Sequence, residues 1–393
     1  MPGSRQDFAV VGRGMLGSSV ARHLAEAGAS VTLIGPGEPE DRRTHQGVFA
    51  SHYDDTRITR VIDPDPLRAW LAHRSVPAFR RLEADTSVGF YFEVGHLWVG
   101  SPDEVAELAG CGQRFDLGCV GHSAAELTGV FPGLRPPGGL DGLFQVNGAG
   151  HLDPRAYVRA EGVAFTAAGG EVCDQVVIAV REVDAGVEVT TARRMLTADR
   201  VVLATGAFFG HGDTPAASLP FTVGIHTMVH AEIGIEDAKR LSYLPSIIVK
   251  PAEENRHCFV LPPKVDEHGR TVLKIGVSRQ GRNLEVEDLA QWYRGAGDPK
   301  AASHQMELLV DLLPGLEVRS LSTVPCATTY TPTGHPMIDD LTGRVSALLG
   351  GNGYAAKCAP ALGELAASRL LDGSWNPEVD RDLFRLNGPG AEG

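Results

Sequence analysis

The stretch from Phe8 to Ile34, FAVVGRGMLGSSVARHLAEAGASVTLI, leaves few folds open to this chain. A short apolar run ends at Val11 and meets Gly12-Arg13-Gly14-Met15-Leu16-Gly17. An amphipathic segment then runs to Ala27, and a second apolar run covers Val31 to Ile34. The order is strand, glycine turn, helix, strand. In such a unit Gly12 makes the tight turn, Gly14 lets a pyrophosphate approach the backbone, and Gly17 lets the helix lie close to the strand. The helix N-terminus then faces the phosphate charge. The spacing alone is also found in ordinary glycine-rich turns; its position between a strand and a helix makes it a dinucleotide-binding signature.

The usual completion is a carboxylate about 20 residues on that binds a ribose hydroxyl pair. Here Gly35-Pro36-Gly37-Glu38 stands in that place. Either Glu38 reaches back from the loop, or the ribose is held without that contact.

A chain of 393 residues is long for one core and suggests about two domains. A formal charge of -13 without a basic stripe argues against nucleic acid as a partner. No apolar run is long enough to span a bilayer and the first residues lack a signal-peptide core, so a cytoplasmic protein without a membrane partner is expected. The six cysteines show no metal-ligand spacing and no disulfide framework, so no metal is expected.

Residues 39–60 form a long polar loop rich in His, Asp and Arg, which is uncommon in a compact domain unless it is functional. The apolar spacing predicts a helix over 64–82, a strand pair over 90–99 and a short helix over 103–108. Residues 111–150, with prolines and glycine clusters, read as a loop-rich crossover. A helix is expected over 154–168, strands over 171–180 and 187–190, and a buried strand leading to Gly206. Short apolar runs between 220 and 280 predict an antiparallel sheet. Helices over 286–292 and 301–313 follow. Then come a strand over 322–328, a turn over 331–336, a strand over 345–349, and Gly350-Gly351-Asn352-Gly353 ahead of a helix over 355–371. That second glycine cluster again puts a helix N-terminus where a polar or anionic part of a cofactor can meet it. Residues 1–6 and 386–393 read as disordered.

In family order, the chain carries the N-terminal glycine motif, Ser51-His52-Tyr53-Asp54-Asp55-Thr56-Arg57-Ile58-Thr59-Arg60, Gly150 to Pro154, Val201 to Gly206, Leu273-Lys274-Ile275-Gly276, Cys326 to Asp339 and Gly351 to Glu364. In these blocks it resembles the D-amino-acid-oxidase superfamily of FAD enzymes, in its monomeric sarcosine oxidase and N-methyltryptophan oxidase branch. The resemblance implies an α/β fold: a Rossmann-like FAD-binding domain plus a second α+β substrate domain with a large mixed or antiparallel sheet. It divides the chain into FAD-binding segments 1–85, 151–215 and 321–385, substrate-domain segments 86–150 and 216–320, and a tail, 386–393. A monomer is implied as well.

By the same resemblance, FAD contacts Gly12, Gly14, Met15, Leu16, Gly17, Ser51, His52, Arg57, Val177, Ala204, Gly206, Gly351, Gly353 and Lys357, and is attached through the sulfur of Cys326. The residues agree as far as they go, since a thiolate beside an electron-poor ring can add to it; the alternative is a buried inert thiol. Lys274 matches a lysine that promotes oxygen reduction near the flavin, and Arg57 a second cation flanking the ring. Alternation leaves open whether Lys274 turns to solvent, and Arg57 can instead pair with Asp54 or Asp55. Arg60 and Lys357 match the pair that holds the substrate carboxylate, although Arg60 can also pair with Asp63. Asp63, Phe259 and Ser278 replace side chains that surround small substrates in the family, implying a bulkier or additionally cationic amino acid or a cyclic secondary amine. No dedicated side-chain base is obvious; His52 and Tyr53 are the candidates, and both can equally be packing or cofactor contacts.

The function expected is an oxidase of an amino acid or secondary amine that hands a hydride to FAD and electrons to molecular oxygen. A dehydrogenase of 2-hydroxy or amino acids with another acceptor, and a flavin-free dinucleotide-binding regulatory protein, are the alternatives.

Overall fold

Short strand segments rich in Val, Leu and Ile, such as residues 8–11 and 201–203, suit parallel pairing covered on both faces, and they build the middle of the first of two large sheets. In a computed structural model, which describes residues 5–266, 268–277 and 283–387, β1 (Gln6–Val11) lies at its centre. It pairs in parallel with β2 (Val31–Ile34) on one side and with the end of the strand Met195–Leu203 on the other. Beyond β2 lies Glu171–Cys173, also parallel. Val345–Leu349 runs parallel to Val201–Leu203. The expected return of the chain to the nucleotide-binding sheet is thus a set of parallel pairings made from three distant stretches.

Helix α1 (Met15–Glu26) packs on this sheet against the C-terminal helix Ala355–Asp372. The two come so close that a Cβ on Gly363 would stand 2.8 Å from Ser19 Cβ. A large residue at position 363 would push the helices apart and with them the cleft they border.

The second sheet has eight strands, in the order Val318–Tyr330, Thr222–Ile233, Thr271–Val277, Cys258–Val265, Ser246–Val249, His96–Gly100, Asp141–Gln145 and Val120–His122. Its pairs are antiparallel except for Ser246–Val249 with His96–Gly100, so it is mixed. β3 (Arg57–Thr59) belongs to a small sheet with Gly150–Leu152 and Tyr91–Phe92. From β3 the chain runs through a loop into α2 (Pro66–Thr86), whose first N–H groups are capped by Asp65 Oδ1, 2.9 Å from Leu67 N.

Several local expectations are corrected. Residues 111–150 are not a loop-rich crossover: a helix over Pro102–Arg114, the strand Val120–His122, the helix Ala124–Val130 and the strand Asp141–Gln145 occupy much of the stretch. The signal was present in Ser123-Ala-Ala-Glu126, a capping box in which Ser123 N donates to Glu126 Oε2 at 2.8 Å. Gly142 is a packing glycine, since a Cβ there would lie 2.5 Å from Leu127 Cδ2. Gln6 starts β1 and Leu386 packs on the core, so neither is a disordered end. The expectations for residues 1–4 and 388–393 lie outside the described residues.

Candidate active site

The turn after β1 forms one end of a long cleft whose empty space, open mouth included, is about 1470 Å³. Each glycine of the turn has a distinct duty. Gly12 has φ +115°, and a Cβ on it would lie 2.2 Å from Ala204 O. A Cβ on Gly17 would lie 1.8 Å from Gly12 O, so only glycine lets α1 sit this close to β1. Gly14 faces the cleft, where an added Cβ would meet nothing nearer than His52 Nδ1 at 3.8 Å. No side chain among the described residues caps the start of α1, and the same holds for the helix Ala355–Asp372, ahead of which Gly350, Gly351 and Gly353 line the same cleft. Two uncapped helix N-termini aimed at one cleft suit an anionic ligand. His52 Nδ1 and Thr205 Oγ1 are buried in the cleft wall without a hydrogen-bond partner among the described residues. These features fit a dinucleotide such as FAD.

Of the residues expected to contact the cofactor, Gly12, Gly14, Met15, Leu16, Ser51, His52, Arg57, Val177, Ala204, Gly206, Cys326, Gly351 and Gly353 line this cleft. Gly17 acts beneath the turn, and Lys357 is buried behind the wall. Glu38 does not reach back toward Gly35: Arg155 grips it, Nε to Oε2 at 3.0 Å and Nη2 to Oε1 at 2.9 Å. A different carboxylate comes near, since Asp174 Oδ1 accepts from Gly37 N at 3.1 Å. Sequence reading missed it because it arrives from the strand beyond β2.

Cys326 stands in the cleft on the strand Val318–Tyr330, opposite His226 of the neighbouring strand. Arg57 Nη2 lies 3.5 Å from Cys326 Sγ and 2.7 Å from Ser51 O. Burial pushes the Cys326 thiol up, and the Arg57 charge opposes that rise. Behind Arg57, Asp54 Oδ2 accepts from Arg57 Nη1 at 2.5 Å and from Lys274 Nζ at 2.8 Å. Alternation therefore turns Lys274 inward, with its side chain 4% exposed. Its remaining donors go to Asp55 O at 2.5 Å and Thr56 O at 2.9 Å. Thr56 has φ +58°, a strained conformation for a β-branched residue, and it turns its carbonyl onto the ammonium. Burial would raise the Asp54 carboxyl, but Arg57 and Lys274 outweigh it and hold it well below the usual carboxylate range.

Asp54, Asp55 and His230 bring potential ligand atoms within 4.8 Å of one another. Their charge is already met by Arg57, Lys274 and Lys264, so the cluster reads as an ion-pair network.

Arg60 and Lys357, 297 positions apart in number, converge on one oxygen. Asp63 Oδ2 accepts from Arg60 Nη1 and from Lys357 Nζ, each at 2.7 Å. Arg60 therefore does pair with Asp63, and Lys357, far from being a solvated helix lysine, is buried. None of Arg60, Asp63, Lys357 or Lys274 lines the cleft itself. Phe259 is half-buried in the second sheet over Gly276, whose added Cβ would lie 2.3 Å from the ring. Ser278 lies outside the described residues. His96, Trp98 and Gln145, which surround the Arg60 loop, were not singled out from sequence, because nothing local distinguishes them from core residues.

A parallel-sheet dinucleotide cleft, with Cys326 brought to it by a second large sheet and Arg57 by β3, defines a flavin-dependent oxidoreductase. Residues 7–369 match the family described as FAD dependent oxidoreductase (DAO), and the chain belongs to that family. Monomeric sarcosine oxidase of Streptomyces avermitilis is 26% identical over 386 residues, covering 94% of each chain. N-methyl-L-tryptophan oxidase of Yersinia pestis is 25% identical over 370 residues, covering 92% of this chain and 94% of its own. The fold is shared with NikD, an unusual amino acid oxidase essential for nikkomycin biosynthesis (TM-score 0.75, 19% identity, 98% of each chain). It is shared too with L-proline dehydrogenase from P. horikoshii (TM-score 0.73, 16% identity, 98% of each chain). Membership of this family sets aside the reading of a flavin-free regulatory protein.

No helix among the described residues is long and apolar enough to cross a membrane.

Proposed function

We propose that the protein is an oxidase of an amino acid or of a secondary amine, N-methyl or cyclic, converting amine and oxygen to imine and hydrogen peroxide. The observation that carries this reading is the meeting of Arg57 and Cys326 Sγ in the cleft wall, with Asp54 and Lys274 directly behind. When bound, FAD supplies the acceptor for the hydride that leaves the carbon bearing the amine nitrogen.

The protein's own groups orient and polarise. Arg57 places a fixed positive charge in the cleft wall, which favours negative charge developing there. Arg60 and Lys357, partly offset by Asp63, leave net positive charge for a substrate carboxylate, with Arg60 as the group that meets it. The amine enters as free base, because neither candidate base is equipped to take its proton. Burial first, then Arg57, hold His52 down to about 3, and its Nδ1 faces the turn at Gly14. Tyr53 donates to Gly37 O at 3.3 Å, and burial pushes it up to about 12. We infer further that the flavin is joined to Cys326 through a thioether, supported by the position of Sγ in the cleft. A cytoplasmic protein fits the six free thiols, and the likeness to monomeric sarcosine oxidase supports a monomer.

Anaerobic titration with a panel of amino acids, N-methyl amino acids, cyclic secondary amines and plain amines tests this reading. The flavin band bleaches with its substrate, and readmitted air restores the band with one peroxide per turnover. A colourless holoprotein, or a yellow one that no amine bleaches, would sink it.

One observation favours a second reading, a dehydrogenase with another acceptor: the three partners of Lys274 occupy all its ammonium protons. Bleaching that a dye reverses quickly and air only slowly selects that reading.

A further inference from the structure

The loop from β3 to α2 is pinned by Gln145, a fully buried residue of the second sheet. Its Oε1 accepts from Val61 N at 3.1 Å and from Ile62 N at 3.0 Å. So held, the loop turns Asp63 onto Lys357. Asp63 Oδ2 takes Arg60 Nη1 and Lys357 Nζ, while Oδ1 accepts from Asp65 N at 3.1 Å. Burial would raise this carboxyl, but Lys357 and Arg60 keep it well below the usual range, so it stays ionised at any working pH. The nearby His96 is neutral, pushed far below its ordinary value by burial and then by Arg60 and Lys357. Two cations sharing one resident anion leave a single unit of positive charge for a ligand.

Of the three charged groups, Arg60 is the most exposed. Its Nη1 is used by Asp63 and by Ile62 O, whereas Nε and Nη2 have no hydrogen-bond partner among the described residues, and the side chain is 14% exposed. The guanidinium lies 4.9 Å from the centre of the Trp98 ring. His96 Nε2 and Trp98 Nε1, on one face of the strand His96–Gly100, are buried without partners among the described residues. Unpaired buried polar groups around a half-open guanidinium mark a place where a polar ligand or water is received.

We propose that Asp63 is the specificity-determining residue of this site: its carboxylate competes with a ligand's for Arg60 and Lys357. The protein therefore holds a carboxylate-bearing amine by the outward edge of Arg60 alone, and accepts amines that lack the carboxylate. The inference rests on the amine-oxidoreductase reading above. Specificity is a difference of affinities, and an anion built into the site lowers the affinity for a carboxylate while sparing a neutral ligand.

Calorimetric titration of the flavin-loaded protein with benzoate and with neutral benzamide measures that difference. The benzoate-to-benzamide affinity ratio in the native protein is within about tenfold of unity. Asp63→Asn adds one positive unit and raises the ratio at least about tenfold, and Asp63→Asn with Lys357→Met returns it to the native value. A ratio that stays put in Asp63→Asn, or stays high in the double variant, overturns the proposal. Should circular dichroism show Asp63→Asn unfolded, Lys357→Met alone carries the test: the ratio falls about tenfold, and an unchanged ratio overturns the proposal. A yellow protein whose ratio ignores these changes defeats the Asp63 proposal alone. A protein purified without flavin defeats the oxidoreductase reading, and calorimetry still reads the ratio.

Discussion

Two clusters beside β3 each centre on one carboxylate oxygen shared by two cations, and they differ in what they leave open. In the first, Asp54 Oδ2 is shared by Arg57 and Lys274; in the second, Asp63 Oδ2 is shared by Arg60 and Lys357. Both use an aspartate and an arginine three residues apart in the loop, together with a lysine from far away in the chain. The first is closed, with Lys274 held by two further carbonyls and Arg57 by Ser51 O, so the whole assembly presents one fixed charge to the cleft. The second is half open, because one edge of Arg60 is free among the described residues. The same three charges thus make a rigid electrostatic wall in one place and a ligand-accepting fork in the other. What separates them is how many backbone carbonyls the loop turns inward.

The largest effect expected from this contrast is in the closed cluster. Asp54→Ala leaves Arg57 and Lys274 buried without their anion and lowers unfolding free energy by about 3–5 kcal/mol. Urea denaturation measures it, and an unchanged midpoint would mean the cluster is solvated. Next, Lys274→Met removes one positive charge behind Arg57. Under the oxidase reading, stopped-flow mixing with air shows flavin reoxidation slowed by about 10²–10³-fold while anaerobic reduction keeps its rate. Equal reoxidation rates would assign Lys274 to structure alone. In the open cluster, Gln145→Leu orphans Val61 N and Ile62 N and costs about 1–3 kcal/mol. The same variant raises KM more than it lowers kcat, because it loosens the loop carrying Arg60.

The smallest and broadest effect is that of acid. His52 and His226, held down to about 3 and about 4 by burial and then by Arg57, are neutral in the folded state. Unfolded histidine titrates near 6.5 (about), so between roughly pH 6.5 and those values the unfolded chain binds more protons. Stability therefore rises with pH across that window and is lost as pH falls through it. The Asp54 and Asp63 contributions, from depressed carboxyls, are lost only below about pH 3.9. Melting temperature should begin to fall near pH 6, about, well before either cluster titrates. A flat profile down to pH 4.5, about, contradicts the assignment.

Much of this was legible in the residue string. The Gly12 to Gly17 turn sits where its spacing requires, since each glycine answers a local demand for conformation or close approach. The individual strands and helices followed from apolar runs whose period is local, and the fold class from the resemblance that the ordered blocks carry. The pairing of Arg57 with Asp54 and of Arg60 with Asp63 was open to view as neighbouring charges in the loop. Residues 111–150 were misread because glycine and proline masked short elements that tertiary packing, such as Leu127 against Gly142, holds in place.

By itself, the sequence determined the nucleotide turn, the two-sheet class and the set of charges in the 54–63 loop, because strand and turn formation depend on neighbours a few residues away. Only the tertiary structure decided that Lys274 points inward, that Lys357 shares Asp63 with Arg60, that Gln145 pins their loop, and that Arg155 takes Glu38. Those are long-range ion pairs and hydrogen bonds, and burial makes each partner's charge depend on the other. Their geometry exists only once distant stretches of the chain have packed together.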